Sequence, residues 1–228
     1  GGVSRARFDG ICQAVGEYVT FIDSDDTVDP DYVETLYQAI HEFDADAATC
    51  AHRMLFDNGQ TREEYGFSDG VICLSPQETI HRVFHDSCCS TALCCKLFRT
   101  AWLREIAPSA LALGEDSYIC LLYFLRSRRL AHTGKCLYTY YQREDSAVHS
   151  SGGERYYDYV RLYDMLLPVF QTEMPQCLPD FYYRLVEKNI VVYLKMMEDP
   201  SPAPEKIKHI ADNIQKYKTY ALKDKQSH

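Results

Sequence analysis

Positive charge is in short supply in this sequence. Its 24 Lys and Arg stand against 33 Asp and Glu, a formal net charge of −9 at pH 7. A general nucleic-acid binder needs a basic face, so that class is excluded. Long apolar runs are missing too; nothing approaches the roughly 18 or more apolar residues of a membrane span. No signal-peptide pattern opens the sequence, and the expectation is a soluble, cytoplasmic chain with reduced thiols. Among ten cysteines there is no Cys-x-x-Cys pair. The one cluster, Cys88, Cys89, Cys94 and Cys95, consists of adjacent doublets whose side chains diverge, which suits small buried hydrophobes better than a zinc site. Tryptophan occurs once, and repeats and low-complexity tracts are absent.

What is present is enough to build a core. Of 228 residues, 46% are apolar and 25% charged, which fits one large domain or one domain with an appendage. Tyrosine is abundant, with 18 copies; its apolar body and polar tip suit a carbohydrate or nucleotide cleft and equally suit ordinary packing.

Residues 4–14 read as a helix and residues 18–22 as a mostly apolar strand of the kind buried on both faces of a parallel sheet. The run Asp23-Ser24-Asp25-Asp26 follows. A helix is then expected with Asp29 as N-cap and Pro30 at its first position, with Val33, Leu36, Tyr37 and Ile40 on one stripe. A strand near 47–51 comes next, and Ser75-Pro76-Gln77-Glu78 is a capping box for a helix carrying Ile80, Val83 and Phe84. Strands are expected at 92–98 and 137–142. Between them, Gly114-Glu115-Asp116 leads into a helix with Tyr118, Leu121, Leu122 and Leu125. From there the chain reads as helices over 155–171, 179–198 and 204–222. The middle one carries Tyr182, Val186, Ile190, Tyr193 and Met197 on one side. The last carries Ile207, Ile210, Ile214 and Tyr217, with Lys206, Lys208, Lys216 and Lys218 spread around it. That pattern fits packing onto the body better than docking on an anionic membrane. The division expected is an α/β body over 1–150 and a helical region over 151–228.

Carboxylates clustered where a buried strand ends lie at the carboxyl edge of a sheet, where α/β proteins bind ligands. Like charges there repel unless a cation compensates, and hard oxygen donors suit Mg²⁺ or Mn²⁺, above all when a diphosphate adds further oxygens. N-capping of the next helix accounts for Asp26 and Asp29 but not for Asp23 and Asp25. An EF-hand is excluded, because Val28 stands where its glycine belongs and Pro30 interrupts the loop. The segment 21–27 also resembles the first motif of haloacid-dehalogenase-like phosphatases, with Asp23 as nucleophile and Lys96 as the later lysine. A non-catalytic module with a degenerate cleft is the third alternative.

Together the pieces resemble a family 2 glycosyltransferase of the GT-A fold. Gly1-Gly2-Val3-Ser4-Arg5-Ala6-Arg7, Gly10-Ile11, Gly16-Glu17-Tyr18 and the run 23–26 follow that family's order and spacing. So do Pro30, Tyr32, Glu34, Leu36 and Tyr37, then Lys96-Leu97-Phe98-Arg99, Gly114-Glu115-Asp116, and Arg143 with Ser146. The resemblance implies a Rossmann-like, mixed and mainly parallel sheet, and transfer of a sugar from a nucleotide diphosphate, a UDP-sugar in the first instance, to a glycan or lipid-linked acceptor hydroxyl. It implies that Asp23-Ser24-Asp25 is the DxD motif, with Asp25 a ligand of Mn²⁺ or Mg²⁺, and that Asp116 is the base of an inverting reaction with Glu115 beside it. Arg7, Arg143 and Ser146 are implied on the donor side, Lys96 on the acceptor side, and His149 in the metal shell. The setting it implies is bacterial polysaccharide or glycolipid synthesis, in the cytoplasm or peripherally at the inner face of the membrane.

Two departures accompany the likeness. Phe8 stands where the family has Asn. The leading strand, helix and nucleotide-gripping strand of the family do not precede Gly1, so the expectation is a low-activity, self-associating fragment whose strand 18–22 lies on a sheet edge.

Overall fold

In the computed structural model, which describes residues 3–68, 70–85, 88–106, 109–142, 153–199 and 201–223, the strand-forming segments assemble into one mixed sheet. The first helix, α1 (Val3–Gln13), buries only Ile11. The strand β1 (Tyr18–Thr20) is shorter than expected and half-buried. It pairs antiparallel with β6 (Lys96–Arg99) and occupies one end of the order β1-β6-β3-β7-β2. The other end is the two-residue β2 (Thr27–Val28).

Between them lie the two long strands, β3 (Ala47–Phe56) and β7 (Leu130–Gln142). They run parallel from Ala47 opposite Leu130 to Phe56 opposite Gln142, with an irregularity around Thr49–His52, and the sheet's parallel character is concentrated in this ladder. The pairings with β4 (Thr61–Glu64), β5 (Ile72–Leu74), β6 and β2 are antiparallel.

Successive side chains of a strand point to opposite faces, and here they divide two cores. Ala47, Phe98 and Leu130 join a cluster with Phe84, Phe124, Phe170 and Phe181. Ala48, Leu97 and Ala131 join one with Tyr32, Leu36, Ile40 and Tyr138. The second face is covered by α2 (Tyr32–Glu42). This helix starts later than expected: Asp31, not Asp29, is the N-cap, because the Asp29 N–H is committed to Leu137 C=O at 2.9 Å beside β2. The inward face is correspondingly Tyr32, Leu36, Ala39 and Ile40, whereas Val33 and Tyr37 are exposed. Tyr32 wins the inward place since its ring fills the core while its hydroxyl meets Thr20 Oγ1 at 2.8 Å.

The first face is covered by α3 (Pro76–Phe84), whose expected capping box is present with both reciprocal bonds, and by α5 (Glu115–Arg126). A short α4 (Thr100–Arg104) links β6 to the segment before α5. The core runs on past residue 150: Leu162, Leu166 and Phe170 of α6 (Gly153–Glu173) and Phe181 and Leu185 of α7 (Leu178–Met197) belong to the same cluster.

On α7 the buried face is Phe181, Leu185, Asn189, Val192 and Met196, one residue away from the expected stripe, and Ile190 and Met197 are exposed. The displacement has a polar cause. Asn189 is fully buried, donating to Leu185 C=O at 2.8 Å, and a buried amide is invisible to a reading of apolar periodicity. The stripe of α8 (Pro204–Lys223) does pack inward, with Ile210 buried and Tyr217 stacked on Tyr182 at 5.1 Å. No helix among the described residues is long and apolar enough to cross a membrane.

Candidate active site

Arg7, on α1, organises the site. Its side chain is only 14% exposed. Nη2 donates to Asp23 Oδ1 at 3.1 Å, and Nη1 donates to Glu115 Oε1 at 2.8 Å and to Asp116 Oδ1. One guanidinium thereby gathers carboxylates from the end of β1 and from the first turn of α5. The five-donor planar fork of arginine can do this where a lysine could not.

The acid pair reaches this point through Gly114. This residue caps α5 at φ +85°, and a Cβ there would meet Leu162 and Tyr159 of α6 at 3.3 Å. Glycine satisfies both the left-handed backbone and the close approach, and α5 then presents Glu115 and Asp116 at its positive end. Asp116 Oδ2 accepts a longer bond, 3.4 Å, from Leu93 N–H. Burial pushes the Asp116 carboxyl up to about 7; Arg7 opposes the rise and Glu115 adds to it.

Leu93 belongs to a loop held from beneath by Lys96. That ammonium is buried and donates to Ala92 C=O at 2.7 Å and Cys94 C=O at 3.5 Å. Lys96 therefore lies behind the site, bracing the loop that touches Asp116. It makes no bond to Asp23, and a phosphatase reading loses the lysine it needs.

The acidic run divides three ways. Asp23 turns to Arg7. Asp26 is buried, taking the Tyr138 hydroxyl at 2.6 Å and Tyr141 N–H at 3.0 Å, and its carboxyl is raised by burial against the pull of those two bonds. Ser24 and Asp25 are exposed. Tyr138 also accepts from Asp23 N–H at 3.3 Å, so one phenol ties both ends of the run to β7. As a donor set for a hard divalent cation this fits a site of one or two carboxylates completed by phosphate oxygens, with Asp25 the carboxylate left toward solvent.

A cavity of about 1050 Å³ opens over the acid pair, lined by Arg7, Thr91, Glu115 and Asp116, with Arg155 and Tyr159 contributed by α6. It is large enough for a sugar nucleotide. Arg143, Ser146 and His149 lie outside the described residues. Sequence reasoning missed Tyr138, the Leu93 N–H and the α6 wall. None carries a local signal, since each acts through a partner distant along the chain.

Residues 1–107 match the Glycosyl transferase family 2 profile. Glycosyltransferase GlyA of Streptococcus pneumoniae is 28% identical over 206 residues, 86% of this chain and 28% of that protein. The minor teichoic acid biosynthesis protein GgaB of Bacillus subtilis is 25% identical over 208 residues, 83% of this chain and 22% of that protein. The chain thus spans less than a third of the length of these curated relatives. Among solved structures, S. aureus TarS 1–349 in complex with UDP-GlcNAc superposes with a TM-score of 0.57 at 19% identity, covering 100% of this chain and 73% of that one. The fold is that of GT-A glycosyltransferases. The likeness of this chain to glycosyl transferase family 2 lies in residues 1–107.

Proposed function

We propose that this protein transfers a sugar from a nucleotide diphosphate donor, a UDP-sugar in the first instance, to an acceptor hydroxyl of a cell-surface polysaccharide or teichoic-acid type, with inversion at the anomeric carbon. The observation that carries the reading is the convergence of Asp23, Glu115 and Asp116 on Arg7 at the mouth of a cavity of about 1050 Å³. TarS, which shares the fold, was crystallised with UDP-GlcNAc and with UDP, and this supports the donor class.

In this reading Asp116 takes the proton of the acceptor hydroxyl as that oxygen attacks the anomeric carbon. A carboxyl raised to about 7 is matched to that task near neutral pH. Arg7 and Glu115 fix its orientation, and Lys96 with the Leu93 N–H keeps the opposite oxygen in place. The acceptor enters along the wall formed by Arg155 and Tyr159. Asp25, with Asp23 behind it, would hold Mn²⁺ or Mg²⁺ together with the donor diphosphate. When bound, such an ion neutralises charge on the departing nucleotide. The cytoplasm, where sugar nucleotides are available, is the compartment this chemistry calls for.

The test is a calorimetric titration with UDP in Mn²⁺ and again in EDTA. Binding in Mn²⁺ that disappears in EDTA and in Asp25→Ala is the expected result. Equal binding with and without the metal, unaffected by Asp25→Ala, would overturn the metal role. No binding of any nucleotide diphosphate to the folded chain would remove the donor site itself.

A further inference from the structure

Away from the cavity, α3 and α7 bring together two imidazoles and a carboxylate that the transfer chemistry does not use. His81 and His85 stand one turn apart in α3, and Asp180 lies in the first turn of α7. His81 Nδ1 and His85 Nε2 are 2.9 and 3.0 Å from the same oxygen, Asp180 Oδ1. The ligand atoms of all three residues fall within 4.8 Å of one another. Histidines at i and i+4 on one helix face have the spacing with which helices chelate metal ions. We propose that His81, His85 and Asp180 form a binding site for a divalent transition-metal cation, zinc in the first instance, which clamps the α/β body to the helical region.

The contacts to Asp180 need little adjustment. Tetrahedral zinc with nitrogen and oxygen ligands at about 2.0–2.2 Å keeps those ligand atoms about 3.3 Å apart. The two imidazole nitrogens therefore withdraw from Asp180 by only a few tenths of an ångström when the ion replaces the protons between them. Access and support are both present. The side chains of His81 and His85 are 43% and 28% exposed while that of Asp180 is 12% exposed, so the ion arrives from solvent onto an already withdrawn carboxylate. His85 is stacked on Tyr183, with ring centroids 4.7 Å apart and an interplanar angle of 20°, which fixes the plane in which its nitrogen points.

Two imidazoles and one carboxylate select zinc, cobalt or nickel over magnesium, whereas the carboxylates of the acidic run have the opposite preference. The two sites are therefore chemically distinct. Three protein ligands leave the fourth position of a tetrahedral ion to water. The position between α3 and α7 makes the ion's effect a stabilising one.

The experiment is a titration of the whole chain with Co²⁺, followed by visible absorption, with thermal unfolding measured in Zn²⁺. The expected result is one equivalent of tetrahedral cobalt with nitrogen and oxygen ligands, displaced by zinc. Tm should rise by about 5–10 °C when zinc is at 100 times its Kd. Both signals should vanish in His81→Ala, whose exposed side chain makes it a mild change for folding. They should also vanish in His85→Gln, which keeps a hydrogen-bonding partner for Asp180. Cobalt taken up by cysteines announces itself by sulfur-to-metal charge-transfer absorption. If that is the only absorption seen, or if both variants keep the wild-type spectrum and Tm shift, the proposal is wrong. It is equally wrong if the wild-type chain takes up no cobalt, and the histidines then serve only as hydrogen-bond partners of Asp180.

Discussion

Replacing Tyr138 by Phe removes one oxygen and tests how the acidic run is held. The Tyr138 hydroxyl donates to the buried Asp26 carboxylate at 2.6 Å and accepts from Asp23 N–H at 3.3 Å. The first bond is short and charge-assisted, the kind worth about 1.5–3 kcal/mol. The ring itself is fully buried and meets Tyr32 edge-on, so Phe preserves the packing. At roughly 2–4 °C per kcal/mol for a chain of this size, Tm should fall by about 5 °C.

The loss should also depend on pH, and its sign follows from Asp26. Burial raises that carboxyl and Tyr138 pulls it down, so the variant raises it further. A group whose folded pKa lies above its unfolded value stabilises while protonated and loses that contribution as pH rises. The deficit of Tyr138→Phe is therefore largest near neutral pH and shrinks where Asp26 is protonated in both proteins. Differential scanning calorimetry between pH 4 and 8 measures this. A deficit below about 1 °C at pH 7, or one that does not change with pH, would refute the assignment of Tyr138 as the anchor.

Asp116→Asn should lower the rate of sugar transfer by roughly 10²–10⁴ while leaving nucleotide binding intact. On the proposed reading the rate of the unmodified chain should climb as pH rises through about 7, where Asp116 gives up its proton. A variant with normal turnover would dismiss the base. Gly134→Ala should cost about 3 kcal/mol in denaturant unfolding. Its backbone is at φ +68°, and an added Cβ would lie 2.5 Å from the Phe67 carbonyl oxygen. An unchanged midpoint would show that the 67–134 contact yields easily.

Elements announced by local chemistry were legible in the sequence. The Ser75–Glu78 capping box appears as expected, because its bonds close within four residues. Gly114 ahead of two acids marked the start of α5 for the same reason. Readings that depended on what lies across the fold fared differently. The stripe of α2 turned because Tyr32 found a hydroxyl on β1, and the face of α7 moved because Asn189 is buried. Lys96 read as a group reaching toward substrate, and nothing adjacent to it in sequence reveals that Ala92 and Cys94 turn their carbonyls onto it. The family pattern put Arg7 on the donor side and made Asp116 the base, but nothing in the sequence joined the two, which are separated by most of the α/β body.

The attachment of α1 has a dynamic consequence. That helix buries a single side chain, Ile11, and is otherwise held by Arg104 reaching its last carbonyls and by Arg7 reaching the acid cluster. An element with so little buried surface opens more readily than the core, and its local free energy is set largely by those few polar ties. The order of α1 is therefore a readout of the charge on Asp23, Glu115 and Asp116. Acid that neutralises Asp116 should loosen the amide protons of α1 toward exchange before the sheet responds. A donor that competes for Arg7 would shift the same equilibrium at constant pH.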